Sequence, residues 1–229
     1  MSVTIASHRR KVPKIINVGC GKGVIPDALN IDDSPRVFLA RHPMIIFILY
    51  KAKVISKDVV DFAHFCKEHD IIRGKATNLK ANDETIDVVY ASHLVEMLYA
   101  DELDGFIREA HRVLKIGGVL RISIADLAIK INEYNNTKDA EAFMKSFALR
   151  HERMKPSIGK RIRYLFLGER RPKWMFDGKS IIDRVEAVAG FTGQVVKAGQ
   201  SIIPMDISKS INLFERADES TYIEFTKTA

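Results

Sequence analysis

The chain has 229 residues, 46% hydrophobic and 28% charged, with a formal net charge of +7, which excludes a disordered polymer and allows one full hydrophobic core. Its longest apolar run, Met44 to Tyr50, is far short of the roughly 20 residues that cross a bilayer, and the basic N-terminus is not followed by an apolar signal segment. Two cysteines, Cys20 and Cys66, cannot build a disulfide framework, so the expectation is a cytoplasmic protein folded as one domain over 1–229.

Residues 14–18, KIINV, are a short apolar run ending in Gly19-Cys20-Gly21-Lys22-Gly23, which predicts a buried strand entering a tight turn. A second strand is expected over 28–32. Ser56 is placed to cap a helix over 57–68, where Val59, Val60, Phe62, Ala63 and Cys66 share a face. Residues 71–73 make a third strand and 86–91, IDVVYA, a central one. From about residue 101 the spacing of Leu103, Phe106, Ile107, Ala110, Val113 and Leu114 predicts a helix that Gly117-Gly118 stops. The strand 119–124 follows, with Asp126 just past its end. Strand, helix, strand, helix in this order implies a doubly wound, mostly parallel α/β sheet.

Beyond Asp126 the pattern becomes polar and helical over 127–136 and 139–153. We read 127–176 as a helical insertion or lid after the fifth strand. A helix over 178–189 is expected to end at Gly190, and strands at 191–198 and 220–227 complete the chain.

Ligands of such sheets bind beyond the C-terminal strand ends, where glycine lets backbone and ligand approach closely. The turn at 19–23 fits that use, or it is simply a tight strand-to-helix turn. Asp32, ending the second strand, suits the two hydroxyls of a ribose, or else it caps the turn with Ser34-Pro35. A nicotinamide dinucleotide is disfavoured, because Val24 stands where a third glycine belongs and Asp32 follows Gly21 by only eleven residues. No Cys/His cluster has metal-ligand spacing, so no metal is expected.

The strings INVGCGKG (16–23), NIDDSP (30–35), IDVVYASHLVEML (86–98), FIREAHRVLKIGGVLRIS (106–123) and AGFTGQ (189–194) resemble class I S-adenosylmethionine-dependent methyltransferases, most closely the methyltransferase type 11-like group with a shortened first helix. The resemblance implies a seven-stranded Rossmann-like sheet with a final antiparallel hairpin, and S-adenosylmethionine as cofactor across the first and fourth strand ends. It assigns the glycine turn (Gly19, Cys20, Gly21) to the methionine part, Asp32 to the ribose, Ala76 and Thr77 to the adenine, and Ser92 and His93 to the methyl-transfer cleft. One departure is Lys75, where the family commonly has an acidic residue before the adenine-facing turn.

Methyl transfer from a sulfonium is an in-line displacement, so a protein aligns the nucleophile and removes a proton where the acceptor is a hydroxyl or amine. His93 and Asp126 are the candidate catalytic residues. Their structural alternatives are a hydrogen-bonded histidine at the turn and a helix N-cap. Glu96 and His111 read as structural or solvated, and Trp174 and Asp177 as a buried aromatic and a cap, or as closers of the cleft. Arg150 to Lys173 holds nine Lys or Arg against two acidic residues, a net charge equal to that of the whole chain. This segment is either a solvated face or a contact for an acidic partner: a phosphate-bearing small molecule or glycan, an acidic membrane surface that would make the protein peripheral, or RNA. Transfer to a small molecule or glycan is the leading expectation, with RNA or protein methylation and a non-catalytic scaffold as alternatives.

Overall fold

In the computed structural model, which describes residues 14–147 and 171–228, seven apolar runs pair into one sheet: β1 (Ile15–Val18), β2 (Leu29–Asp32), β3 (Ile72–Arg73), β4 (Ile86–Ser92), β5 (Leu114–Ala125), β6 (Phe191–Val196) and β7 (Ser220–Lys227). Their order is β3-β2-β1-β4-β5-β7-β6. The first five are parallel, and β7 lies antiparallel between β5 and β6. This is the doubly wound, mostly parallel seven-stranded sheet that the sequence predicts.

One face is covered by helices. Of these, α4 (Ala100–Val113) turns Leu103, Phe106, Ile107, Ala110 and Val113 inward, and α7 (Gly178–Val188) adds Ile181 and Val185. They pack on Ile16, Val89, Ala91, Leu120, Ile122, Ile223 and Phe225 of the strands, each residue alternating with one that points the other way. A second cluster joins α1 (Pro35–Ala40), α2 (Pro43–Lys51) and α3 (Lys57–Glu68), using Val37, Leu39, Ile46, Val59, Phe62, Ala63 and Cys66.

The opposite face has no long helix over its centre. Residues 19–28 connect β1 to β2 without any helix, and 197–219 contain only the single-turn α8 (Met205–Ser208). Irregular backbone leaves polar groups that need partners when buried. The strands supply them from one row across the sheet, because Asn30, Asn17, Tyr90, Arg121 and Glu224 stand side by side in register. Asn17 donates to the Gly23 carbonyl at 2.7 Å and to Asn30 Oδ1 at 2.8 Å, while Asn30 accepts from Ile25 N at 2.9 Å. Tyr90 donates to Glu215 at 2.7 Å; burial and that carboxylate push its hydroxyl pKa up, so it stays protonated.

Arg121 and Glu224, both fully buried, form an ion pair. Arg121 also donates to the Gln200 carbonyl at 3.1 Å and lies 5.0 Å from the Tyr222 ring centroid, and Glu224 accepts from Ser201 Oγ at 2.6 Å and Ile202 N at 2.7 Å.

Four local readings are corrected. The first connecting helix is absent, not shortened, since hydrogen bonds from Asn17 and Asn30 replace it. The glycine pair does not stop α4. That helix ends at Val113 and the chain enters β5 directly at Leu114, so Gly117-Gly118 instead lies inside β5, where the register with β4 shifts. Gly117 has φ +77°, and a Cβ on Gly118 would meet the Lys115 and Asp87 carbonyl oxygens at 2.9 and 3.1 Å. Ser56 precedes α3, but its side chain makes no cap bond. Finally, α7 ends one residue early, with extended Ala189 at its C-cap, because β6 begins at Phe191.

After β5 come α5 (Leu127–Thr137) and α6 (Ala140–Ser146), in the span expected to be an insertion. Its two ends meet, since Asp126 bridges Phe176 and Leu127 N donates to the Phe176 carbonyl at 2.9 Å. Residues 150–170 of the basic segment lie outside the described residues.

Candidate functional site

The strand order reverses between β1 and β4, and the crevice at such a switch point is where open α/β sheets bind ligands. The glycine turn sits there. Gly19 and Cys20 both donate to the Ile31 carbonyl, at 2.8 and 3.1 Å, and Gly23 closes the turn on the Cys20 carbonyl at 2.7 Å. Gly19 (φ +69°) holds a left-handed conformation that strains any side chain, and a Cβ there would lie 2.8 Å from Leu94 Cδ1 in the loop after β4. Gly21 (φ +53°) faces open space, with nothing within 4 Å of a Cβ built there. Cys20 is buried.

Asp32 holds this turn. Its two oxygens accept from Gly21 N at 3.0 Å and Ser34 N at 2.7 Å, and the residue is 1% exposed. The turn-capping interpretation is therefore realised in the geometry. The neighbouring Asp33, which sequence reasoning passed over, is the exposed carboxylate beyond β2, with Arg73 Nε 3.8 Å away. Its signal was the doubled acid in NIDDSP.

Ala76 and Thr77 form a turn after β3, with Asn78 N donating to the Lys75 carbonyl at 3.0 Å. The Thr77 methyl fills the space left by Gly105 of α4, 2.8 Å from where a Cβ would stand. Lys75 is exposed.

At the ends of β4, β5 and β7 a polar group gathers. Ser123 Oγ donates to Ser92 Oγ at 2.9 Å. His93, with φ +48°, has Nε2 3.0 Å from Ser220 Oγ and Nδ1 3.6 Å from Glu96 Oε1. Both ring nitrogens thus face protein partners, tying β4 to β7. Glu96 is 2% exposed; Oε1 accepts from Ala125 N at 2.8 Å, while Oε2 is buried without a hydrogen-bond partner among the described residues. The Glu96 carbonyl accepts from Lys173 N at 2.6 Å, which docks the segment before α7 here. Asp126 is the N-cap of α5, accepting from Ala128 N at 2.7 Å. The structure brings Ser92, His93, Glu96 and Ser220 together and gives Asp126 a capping partner. Ser220 had no sequence signal, since its role depends on β7 returning beside β5.

Beside this group a cavity of about 460 Å³ is lined by Leu98, Tyr99, Leu103, Lys173, Trp174 and Arg184, among others. Lys173 Nζ lies 5.1 Å from the Tyr99 ring centroid, and Trp174 is exposed rather than buried as expected. Asp177 caps α7, accepting from Ser180 N at 2.7 Å. A larger cavity of about 920 Å³, between β6 and 199–214, shares no residue with the glycine turn. Among the described residues no group of His, Cys, Asp or Glu is placed to hold a metal ion.

Residues 16–122 match a family model described as methyltransferase domain. No curated protein matches the chain. Solved structures similar to it include a S-adenosylmethionine-dependent methyltransferase of Thermotoga maritima, at 16% identity and TM-score 0.46, covering 94% of this chain and 82% of that one. Another is a S-adenosylmethionine-dependent methyltransferase of Archaeoglobus fulgidus, at 13% identity and TM-score 0.47, covering 95% and 87%. A third is the magnesium protoporphyrin IX methyltransferase of Synechocystis PCC 6803 with bound S-adenosylhomocysteine, at 14% identity and TM-score 0.47, covering 96% and 76%. Likenesses this distant carry no argument about chemistry.

Proposed function

We propose that this chain, whose residues 16–122 match a methyltransferase-domain family model, binds S-adenosylmethionine beyond the ends of β1 and β4 and methylates a small molecule or glycan, one bearing phosphate. The observation that carries this reading is Gly21, a left-handed glycine opening onto free space at the switch point of the sheet. The methionine part fits the backbone of Gly19 to Gly21, and the turn at Ala76 and Thr77 would offer backbone groups to the adenine. On the ribose side Asp32 would bind only where the turn it caps opens, and Asp33 stands next to it as an exposed acceptor.

S-adenosylmethionine supplies an electrophilic methyl group on a sulfonium. The protein's own work is then to orient the acceptor, exclude water and take up a proton. His93 is proposed for the last role; with Nε2 3.0 Å from Ser220 Oγ and Nδ1 3.6 Å from Glu96 Oε1, one ring nitrogen would have to turn from its protein partner to take up the proton. The neighbouring cavity, with aromatic walls and the cations Lys173 and Arg184, suits an acceptor with an apolar body and an anionic group. Arg150 to Lys173 would supply further cations to that ligand.

The burial of Asp32 favours one second reading, a methyltransferase-fold scaffold without catalysis. Mass spectrometry of the purified protein separates the two, followed by transfer of isotopically labelled methyl groups to metabolite and glycan fractions. The enzyme reading expects retained cofactor and label in one fraction. Absence of both, in folded protein, would leave the scaffold. With an acceptor in hand, His93→Ala should lower turnover by roughly 100-fold while cofactor affinity changes only slightly; unchanged turnover would make His93 a structural tie alone.

A further inference from the structure

The helix α2, PMIIFILYK, is apolar at nearly every position, yet only Ile46 is buried. Met44, Phe47 and Ile48 are 69%, 57% and 59% exposed, and Ile45 and Tyr50 are exposed too. Met44, Phe47, Ile48 and Lys51 follow the i, i+3, i+4, i+7 spacing of a single helical face. A helix this apolar is normally covered on all sides. Here its outer face meets no other element among the described residues.

The surroundings of the patch say what covers it. From Ser34 to Lys57 the chain contains Arg36, Arg41, Lys51, Lys53 and Lys57 and not one Asp or Glu. Lys51 lies 5.7 Å from the Phe47 ring centroid, so charge and apolar surface share one face. A second copy packed on this helix would set like charges against each other, which disfavours a symmetric dimer. Exposed apolar side chains beside Lys51, in a stretch whose only charges are basic, suit the boundary of an acidic bilayer, where the side chains enter the acyl region and the cations meet lipid phosphates.

We propose that α2 and its basic flanks dock this protein on an anionic lipid surface. No helix among the described residues is long and apolar enough to cross a membrane, so the contact is peripheral. It does not depend on the methyl-transfer reading, nor on Arg150 to Lys173.

The test is co-sedimentation of the full chain with phosphatidylcholine vesicles, with and without phosphatidylglycerol, together with sedimentation velocity without lipid. Wild-type protein should pellet only with the acidic vesicles, and less as salt rises. Phe47→Asp with Ile48→Asp should abolish pelleting, and Lys51→Glu with Lys53→Glu should weaken it at least about tenfold. All four positions are exposed, and circular dichroism checks that the variants fold. Three results would overturn the proposal: no binding to acidic vesicles, binding that survives Phe47→Asp with Ile48→Asp, or a lipid-independent dimer that the same pair of substitutions dissolves. Binding that survives those substitutions but is lost on neutralising Arg161 and Arg163 would place the contact in the other basic segment.

Discussion

The two faces of the sheet solve the same burial problem differently. On one, α4 and α7 lay regular apolar stripes on the strands, and their backbone hydrogen bonds are made within the helices. On the other, two irregular segments lie where helices would be expected, and the strands hold them through Asn30, Asn17, Tyr90, Arg121 and Glu224. The helical face draws its stability from apolar area, whereas the irregular face draws its shape from buried hydrogen bonds that tolerate little change. The second is tied to the glycine turn by a side-chain hydrogen bond, from Asn17 to the Gly23 carbonyl. Stability and ligand binding should therefore separate by face.

The largest effect is expected at the centre of the irregular face. Glu224→Gln leaves the buried Arg121 without its counter-ion and should cost about 3–5 kcal/mol in urea unfolding. Adding Arg121→Met should recover part of the loss, because the stranded charge disappears with it. Strictly additive losses would mean that the pair is not coupled as its geometry implies.

Next come two substitutions that divide the faces. Ile107→Ala, on the helical face, should cost about 2–5 kcal/mol by opening a cavity and leave the affinity of the folded protein for S-adenosylhomocysteine unchanged. Asn17→Ala should cost less, about 1–3 kcal/mol, yet weaken that binding about tenfold by releasing the glycine turn. If both variants bind equally well, the polar row supports the fold alone and the comparison fails. Asp32→Asn sharpens the same point: an amide keeps one acceptor oxygen where the carboxylate uses two. The loss of one backbone partner should cost about 1 kcal/mol, with weaker cofactor binding read by calorimetry. The smallest effect is expected for Ser56→Ala, within about 0.5 kcal/mol, since this hydroxyl makes no cap bond. A loss near 1 kcal/mol, usual for a working N-cap, would show that the cap forms in solution.

How much of this was legible follows the same division. The helical face was readable because a 3.6-residue stripe such as Leu103 to Val113 names its own buried side, and β1, β4 and β5 were readable as apolar runs. The irregular face was hidden. Asn17 in IINV and Glu224 in YIEF looked like ordinary interruptions of a strand, and only the register places them in one row across the sheet. The absence of a helix between Gly23 and Leu29 could be suspected from Pro26 and the short span, but its replacement by two asparagines needed coordinates. Within the site, the glycine turn was visible as a motif, whereas the burial of Asp32 and the pairing of His93 with Ser220 depend on strands distant in sequence. For α2 the apolar run was seen but judged only by its length against a membrane span.

The central claim, that the end of the sheet bearing Gly21 binds S-adenosylmethionine, is tested most directly by calorimetric titration of S-adenosylhomocysteine into the wild-type protein, with Asn17→Ala in parallel. The account predicts saturable single-site binding to the wild type and about tenfold weaker binding to the folded variant. Wild-type protein that gives no binding heat and no shift in melting temperature with the same ligand would contradict it.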